Sequence, residues 1–453
     1  MAEAISEKTI EIPSSGFDKF KKQIREFIGP GEGRFGVKKT DKQLEHELHI
    51  PNGELNLKLN GNSTSWSLQF TERLKRIWTG FQEKIDLPSE EEKIKQDILT
   101  DARNGILELS KKLEISENRI IAAASGSDAI LAGEELLGIF TSSVGTSETG
   151  SDISKGLAKT GEYLEIELRD IDNNLISEKI LFEKWKEKID SRPNSYFIIT
   201  LVSKTGTYYP ELTTKILDYL KDNNKIAVVD AIQANGRVPK KDVLDYLDHD
   251  VCKGIIISGS KVFKASDHAG FLITDENGPK LINQNINSDK KAQELVDKYG
   301  VFGSILDKHN VNYVNNLTEL VRVADNAFAI VEGIDSDILY GPKAIKCAAI
   351  YKKVLESCGF KIIHDDGFKK VVSIISMEKP GLDPLKIHSF LTELARGLGF
   401  TLGGPMQRRG GNPIFRFGLD RDMVRTVNLN TLENEVVKDL NKKAFAEAET
   451  NME

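Results

Sequence analysis

A lysine stands where an aliphatic run should be finishing as a buried strand. Residues 254–260 read GIIISGS and lead directly into Lys261, and a second apolar run, GFLIT, begins at Gly270. A lysine that enters a crevice can act as a nucleophile toward a carbonyl group once its pKa is lowered. An exposed lysine at the end of a strand is the plain alternative. Lys264 follows closely, but it lacks a preceding Ser-x-Ser and is the poorer candidate.

A carboxylate closes another aliphatic run. Residues 225–231 read KIAVVDA, so that Asp230 ends a predicted strand, and Gln233 follows three positions later. A carboxylate at the end of a buried strand is costly unless a cationic group pairs with it. A helix cap or a structural ion pair would account for Asp230 as well as a binding site does.

Two turns add hydroxyl groups. The run RIIAAAS ends at Ser125, Gly126 and Ser127 follow, and a helix is predicted from Asp128. The amides of a helix N-terminus, with a glycine and two hydroxyls, suit a phosphate group, although an ordinary capped turn has the same residues. Ser203 also follows an aliphatic run, and on its own it indicates only a turn.

The phosphate turn, the carboxylate and the lysine follow one another along the chain. Pyridoxal phosphate has a phosphate, a pyridine nitrogen that binds a carboxylate and an aldehyde that reacts with a lysine. The combination therefore predicts pyridoxal phosphate as the cofactor. A nucleotide-binding P-loop is disfavoured, because that motif needs Gly-Lys-Ser/Thr leading into a helix, whereas Lys261 follows Gly-Ser and precedes a strand.

The elements that must position these residues belong to an α/β fold. Aliphatic runs alternate with helical patterns from about residue 90, which is typical of a mostly parallel sheet covered by helices on both faces. Ligands of such a sheet bind beyond the carboxyl ends of its strands. Strands are predicted at residues 119–125, 162–168, 195–203, 225–231, 254–260 and 270–274, and helices at 91–113, 128–141, 211–222 and 310–332.

Three parts of the chain are expected. Residues 1–89 form an N-terminal segment of helix and loops that packs near the site, 90–335 a large cofactor-binding domain, and 336–453 a small α+β domain. Further predictions are helices at 16–29, 341–353 and 384–399 and strands at 368–376 and 412–419.

Composition narrows the class of protein. The 453 residues are 39% hydrophobic and 29% charged, with a net charge of −7, so we expect no nucleic-acid partner. No apolar run is long enough for a membrane helix, and the N-terminus lacks the pattern of a secretory signal. Three scattered cysteines form no disulfide framework, and no zinc motif occurs. These features predict a cytoplasmic protein without a membrane partner or a metal.

The motifs resemble those of fold-type I pyridoxal-phosphate enzymes, and most closely the class V aminotransferase and cysteine desulfurase group. SGSDA resembles the phosphate turn of the group, DAIQ its Asp-x-x-Gln element and SGSK its Ser-x-His/Ser-Lys element. SKTG resembles its Asn-Glu-x-Gly turn, with Ser203 in place of the asparagine. The resemblance covers residues 90–275 and extends more loosely to the remainder. It implies a homodimeric enzyme that acts on a small amino substrate, in the first place an aminotransferase.

The resemblance also implies a role for each residue. Lys261 would form the Schiff base with the cofactor, Asp230 would keep the pyridine nitrogen protonated, and Gln233 would bind the ring hydroxyl. The other implied cofactor-binding residues are Ser125, Gly126, Ser127, Ser203, Ser258 and Ser260. Residues 141–152 contain no aromatic side chain to cover the ring, so Glu148 and Thr149 are the candidates for that place.

The substrate carboxylate would bind an arginine of the small domain, because a guanidinium group forms two parallel hydrogen bonds with a carboxylate. Arg416 in PIFRFGL resembles the arginine that the family places on a strand, while a solvated strand face would also explain it. Arg408 and Arg409, on a predicted glycine-rich loop, are alternatives, and Asn62 is a further candidate contact.

Several alternatives to transamination stay open: lyase chemistry at a carbon–sulfur or carbon–carbon bond, decarboxylation, or a catalytically silent protein of this fold. Decarboxylases of the fold usually carry a histidine immediately before the lysine, where this chain has Ser260. A desulfurase needs a mobile cysteine loop, whereas Cys347 lies among residues of a predicted helix.

Overall fold

A computed structural model describes residue 18 and residues 88–138, 140–148, 162–260, 262–263, 265, 269–313, 316–357, 359–363, 369–378, 401–408, 411–419 and 421–432. Of the predicted site residues, Lys261 and Asn62 lie outside the described residues. The predicted helix at 384–399 also lies outside them, as does the helix at 16–29 apart from Asp18.

A seven-stranded sheet forms the centre of the larger part. Its strands are β1 Ile120–Ala123, β2 Ser142–Thr146, β3 Glu162–Ile166, β4 Ser195–Thr200, β6 Ala227–Asp230, β7 Cys252–Ile257 and β8 Gly270–Thr274, in the spatial order β1-β8-β7-β6-β4-β2-β3. Strand β8 is antiparallel to its neighbours β1 and β7, and the other neighbouring pairs are parallel. All the strands except β8 therefore point the same way.

Helices cover this sheet. They are α1 Glu91–Leu113, α2 Gly126–Leu137, α3 Glu178–Ser191, α4 Pro210–Asp222, α5 Lys240–Leu244, α6 Gly278–Asn285, α7 Asp289–Tyr299 and α8 Leu317–Gly333. Every residue of β1, β4 and β6 is buried, which explains why these strands read as continuous apolar runs rather than as alternating patterns. The prediction of a mostly parallel, helix-covered sheet is confirmed.

A smaller antiparallel sheet follows. Its strands are β9 Lys361–Ile362, β11 Ile374–Glu378, β12 Thr401–Arg408 and β13 Gly411–Gly418, in the order β12-β13-β11-β9. The helices α9 Pro342–Ser357 and α10 Arg421–Thr426 accompany it. A two-stranded ladder of β5 Thr207–Tyr208 and β10 Lys369–Lys370 connects this region to the loop that follows β4.

Three predictions about elements need correction. The helix predicted at 128–141 ends at Leu137, because Gly138 has φ 149° and breaks the helix, and β2 follows in a stretch with only one large aliphatic residue, Val144. The strand predicted at 368–376 is divided by a turn between Lys370 and Ile374. Arg408 lies at the end of β12, paired with Gly411 of β13, and so belongs to a strand rather than to the predicted loop.

Within the part of the chain that the structure describes, no helix combines the length and the apolar character needed to cross a membrane.

Candidate active site

The carboxyl ends of the parallel strands meet at one edge of the large sheet, and the predicted site residues lie there. Asp230 is the last residue of β6 and is paired in register with Thr200 at the end of β4 and Ile256 near the end of β7. Ser258 directly follows β7, and Ser125 follows β1 after a single alanine. The sheet therefore brings together residues that are far apart in the sequence.

The turn after β1 is a capped helix start. Ser125 is the N-cap of α2: its Oγ accepts a hydrogen bond from the Asp128 amide at 3.0 Å and donates to Asp128 Oδ2 at 2.6 Å. The hydroxyl of Ser125 is thus engaged within its own turn. The amides of Gly126 and Ser127, at the positive end of the helix dipole, are the groups of this turn best suited to an anion.

Glycines let three strand ends approach one another closely. A Cβ atom on Gly126 would lie 2.6 Å from Ile232 Cδ1, in the loop after Asp230, and 3.9 Å from Ser258 Cβ. A Cβ atom on Gly270 would lie 2.5 Å from Gly126 Cα and 2.7 Å from the Ser125 carbonyl oxygen. The turn before α2 therefore lies directly against the Asp230 loop and the start of β8.

Two buried serines precede Lys261. The Oγ atoms of Ser258 and Ser260 are 2.9 Å apart, and Ser258 donates to the carbonyl of Ala269 at 2.7 Å. Ser258 is 1% exposed and Ser260 is 4% exposed, so both hydroxyls face the interior beside the turn of Gly126. Because Ser258 donates to Ala269, the donors here that suit a phosphate group are the Ser260 hydroxyl, which can turn toward a ligand, and the amides of the helix N-terminus.

Asp230 is buried, with an exposure of 6%. Its Oδ1 accepts a hydrogen bond from the Ile232 amide at 3.1 Å, which holds the carboxylate at the strand end. Burial, followed by the negative charges of Glu165 and Asp230, raises the pKa of the Tyr163 hydroxyl.

Gln233 has a partner that sequence reasoning missed. Arg237, four residues later on the same loop, donates from Nη1 to Gln233 Oε1 at 2.5 Å and to the Gln233 carbonyl at 3.2 Å. Arg237 is 5% exposed, and burial lowers its pKa to about 10, so that it is still protonated at neutral pH. The spacing Gln-x-x-x-Arg was the only signal in the sequence for this pair.

The residues that flank Lys261 lie against the same loop. The Phe263 amide donates to the carbonyl of Gly259 at 3.0 Å, so the backbone turns back after β7. A Cβ atom on Gly236 would lie 2.5 Å from Phe263 Cζ and 2.8 Å from Val262 Cγ1. The segments before and after Lys261 are thus both in contact with the site.

A buried ion pair lies just beyond the ends of the neighbouring strands β2 and β3. Arg169 Nε is 2.7 Å from Glu148 Oε1, and the exposures of the two side chains are 0% and 2%. Thr205 donates to the other oxygen of Glu148, Ser203 and Thr205 share a hydrogen bond of 2.8 Å, and Thr207 accepts from Arg169. We name these five residues the Glu148 cluster; the sequence analysis anticipated neither Arg169 nor the pairing.

The cluster determines what Glu148 can do. Although burial by itself raises the pKa of Glu148, the charge of Arg169 and hydrogen bonds from Thr205, Ser203 and Arg169 lower it. Both carboxylate oxygens are therefore engaged in the cluster, which makes Glu148 a poor candidate to cover a cofactor ring. Thr149, the other candidate, lies outside the described residues.

Arg416 extends from the small sheet toward this cluster. It stands in β13 directly opposite Ser376 of β11, and directly opposed residues of an antiparallel pair share one face of the sheet. Ser376 Oγ donates to the Thr205 carbonyl at 2.7 Å, so this face meets the end of β4. Burial lowers the pKa of Arg416 to about 10, and the negative charge of Glu148 opposes that shift. Arg416 is thus at the edge of the large sheet that carries the site.

The fold is similar to that of several solved structures, among them a cysteine desulfurase and two aminotransferases. Cysteine desulfurase from Thermococcus onnurineus NA1 superimposes with a TM-score of 0.55 at 13% identity, covering 89% of this chain and 99% of that one. Alanine–glyoxylate aminotransferase from Nostoc sp. gives 0.53 at 13% identity, covering 88% and 100%. Ureidoglycine–glyoxylate aminotransferase from Bacillus subtilis gives 0.50 at 14%, covering 79% and 89%. The predicted fold class is confirmed.

No protein-family model matches the sequence, and no curated protein matches it either.

Proposed function

We propose that this chain is a pyridoxal-phosphate-dependent enzyme that acts on the amino group of a small substrate, with transamination as its reaction. The observation that carries the proposal is the meeting of three groups at one edge of the sheet. These are the helix start with its serine hydroxyls, the buried carboxylate of Asp230 and the turn whose sequence contains Lys261.

Hydrogen-bond donors that suit the phosphate group of the cofactor lie at the start of α2 and in the turn after β7. The amides of Gly126 and Ser127 and the hydroxyl of Ser260 would hold the phosphate, with Ser258 beside Ser260 and Ser125 capping the helix behind them. Glycine at 126 is essential to this cradle, since a Cβ atom there would meet Ile232 at 2.6 Å. Phosphate groups bind at helix N-termini for the same electrostatic reason.

The remaining residues would hold or transfer protons and orient the cofactor ring. When bound, the cofactor supplies an electron-withdrawing ring that stabilises negative charge at the substrate carbon. Asp230 would accept a hydrogen bond from the protonated ring nitrogen and so keep that proton in place, and Gln233 would contact the ring oxygen. Ser203 is a further cofactor contact that the resemblance implies. Lys261 Nζ would react with the aldehyde and afterwards carry a proton to and from the substrate carbon.

Arg416 would bind the substrate carboxylate, with Asn62 as a further contact. In support, Arg416 lies on the face of the small sheet that meets the end of β4, and two parallel hydrogen bonds to a carboxylate orient a substrate well. We further propose a homodimer, as the resemblance implies, and a cytoplasmic location, as the composition predicts.

Sulfur transfer through Cys347 is disfavoured by the surroundings of that residue. This residue is buried within α9 with an exposure of 0%, and burial raises the pKa of its thiol. Since the thiolate is the reactive form, such a cysteine is a poor acceptor for sulfur. Lyase or decarboxylase chemistry would share the residues above and differ in product.

The test is the absorbance spectrum of the purified protein beside Lys261→Ala and, as a matched control, Lys264→Ala. We expect a visible band in the wild type and in Lys264→Ala that borohydride abolishes, and no such protein-bound band in Lys261→Ala. A wild type that stays colourless with added pyridoxal phosphate would refute the proposal in favour of a silent protein of this fold.

Incubation with amino donors tests the reaction itself. Conversion of the bound cofactor to pyridoxamine phosphate would support transamination. Release of ammonia, carbon dioxide or a cleaved fragment with the cofactor unchanged would assign the enzyme to the lyases or decarboxylases.

A further inference from the structure

The loop that carries Asp230 also carries a buried cation, Arg237, for which the proposed mechanism has no use. Its Nη1 donates to the side-chain oxygen of Gln233 at 2.5 Å and to the main-chain oxygen of the same residue at 3.2 Å. The side chain is almost fully enclosed, with a residue exposure of 5%. A buried guanidinium is expensive, so its place beside the predicted cofactor contact requires a reason.

Hydrogen-bond chemistry supplies the reason. A guanidinium group has five N–H donors and no acceptor, whereas a glutamine amide has an oxygen that accepts and an NH2 group that donates. Arg237 can therefore bind only the oxygen of Gln233. If the amide turned by half a rotation, two sets of donors would face each other. The NH2 group of Gln233 must accordingly point away from Arg237.

The backbone holds Arg237 in this position. The Arg237 amide donates to the Ala234 carbonyl at 2.8 Å, and Gly236 before it has φ 76°, a conformation that residues with side chains rarely adopt. A Cβ atom on Gly236 would also meet Phe263 at 2.5 Å. The loop is thus enclosed between its own turn and the residues that follow Lys261.

We propose that Arg237 is a positioning residue that makes Gln233 a hydrogen-bond donor toward the ring oxygen of the cofactor. This inference rests on the proposed function. A donor stabilises the negatively charged form of that oxygen, because charge-assisted hydrogen bonds are stronger than neutral ones. With Gln233 as the donor, the titration midpoint of a cofactor bound there would lie at a lower pH than beside an acceptor.

The decisive experiment is a pH titration of the visible absorbance of the bound cofactor in four proteins: wild type, Arg237→Met, Arg237→Lys and Gln233→Glu. Gln233→Glu is the matched control for folding, since a carboxylate still gives Arg237 an acceptor but presents no donor to the ring. We expect the midpoint to rise by roughly one pH unit in Arg237→Met and Gln233→Glu, as for a lost hydrogen bond to a charged group. Arg237→Lys keeps a donor-only side chain and should titrate closer to wild type.

A second measurement needs no cofactor. The denaturation midpoints of cofactor-free wild type, Arg237→Met, Gln233→Leu and the double variant should be non-additive, because the two side chains contact each other. Additive changes in stability would show that the two side chains do not interact, and would overturn the inference.

The outcomes separate this inference from the proposed function. A wild type that binds the cofactor, with an unchanged midpoint in Arg237→Met, overturns the positioning role whatever Gln233→Glu shows, and leaves the proposed function intact. A wild type that binds no cofactor overturns both.

Discussion

Replacing Arg169 by methionine is expected to leave the carboxylate of Glu148 buried without its ion-pair partner. In the native protein Arg169 Nε lies 2.7 Å from Glu148 Oε1, and Nη1 and Nη2 donate to the Asn173 carbonyl and to Thr205, each at 3.0 Å. Methionine fills much of the same volume but replaces none of these hydrogen bonds. The variant therefore tests the charge and the hydrogen bonds more than the packing.

The size of the loss follows from the exposures of the two side chains, 0% and 2%. Breaking a buried ion pair by removing one partner costs about 3–5 kcal/mol, because the other charge is left uncompensated. The matched control is Arg192→Met, since Arg192 pairs with Glu162 at 3.2 Å with exposures of 41% and 58%. An exposed pair of this kind contributes about 0–1 kcal/mol.

The loss should also depend on pH in a defined direction. In the native protein the pKa of Glu148 lies below its ordinary 4.5, so its contribution to stability is present above pH 4.5 and is lost as the pH falls below that value. Without Arg169 the pKa of Glu148 rises, since burial is opposed by fewer groups. The carboxylate can then take up a proton, and the deficit of the variant should shrink between neutral pH and pH 4.5.

Equilibrium unfolding in urea, followed by circular dichroism of the cofactor-free proteins at both pH values, measures these differences. If Arg169→Met loses no more stability than Arg192→Met at neutral pH, the buried pair does not hold the ends of β2 and β3 together. A deficit that stays constant with pH would contradict the electrostatic explanation and leave only a packing effect.

Two further predictions concern the phosphate turn and the acid limit of stability. Gly270→Ala should weaken the binding of pyridoxal phosphate to the cofactor-free protein by about tenfold or more, because the new Cβ would meet backbone atoms of Gly126 at 2.5–2.7 Å; unchanged affinity in a fluorescence titration would contradict this. In Glu135→Gln, the free energy of unfolding should decrease less steeply than in the wild type as the pH falls from 4.5 to 2. Although burial alone raises the pKa of Glu135, hydrogen bonds from Lys291, Lys298 and Tyr299 lower it to about 2, so its contribution is present above pH 4.5 and is lost as the pH falls toward 2. An acid unfolding curve as steep as that of the wild type would disprove this assignment.

Local patterns were enough to predict much of the large sheet. The runs around β4, β6 and β7 are continuous and aliphatic because these strands are buried on both faces, so each could be recognised alone. Strand β2 was not predicted, because its sequence, SSVGT, has only one large apolar residue. Its burial depends on the neighbouring strands rather than on its own composition.

The candidate site was predictable only in part, for a related reason. The places of Asp230 and Ser258 followed from strand ends, which lie at one edge in any parallel sheet. The ion-pair and hydrogen-bond partners of the site residues could not be predicted in this way. Glu148 and Arg169 are joined because β2 and β3 are neighbours in the sheet. The two residues are 21 positions apart, and no sequence pattern at that spacing indicates an ion pair.

The sequence by itself determined the order of phosphate turn, carboxylate and lysine, because each sits at the end of a run whose apolar residues must be buried. Only the tertiary structure decided how these groups are oriented. The Ser125 hydroxyl is used to cap its own helix, the oxygen of Gln233 faces Arg237, and Arg416 reaches the large sheet through the pairing of β13 with β11. Hydrogen-bond direction and charge compensation depend on distances between side chains, and those distances exist only once the chain is folded.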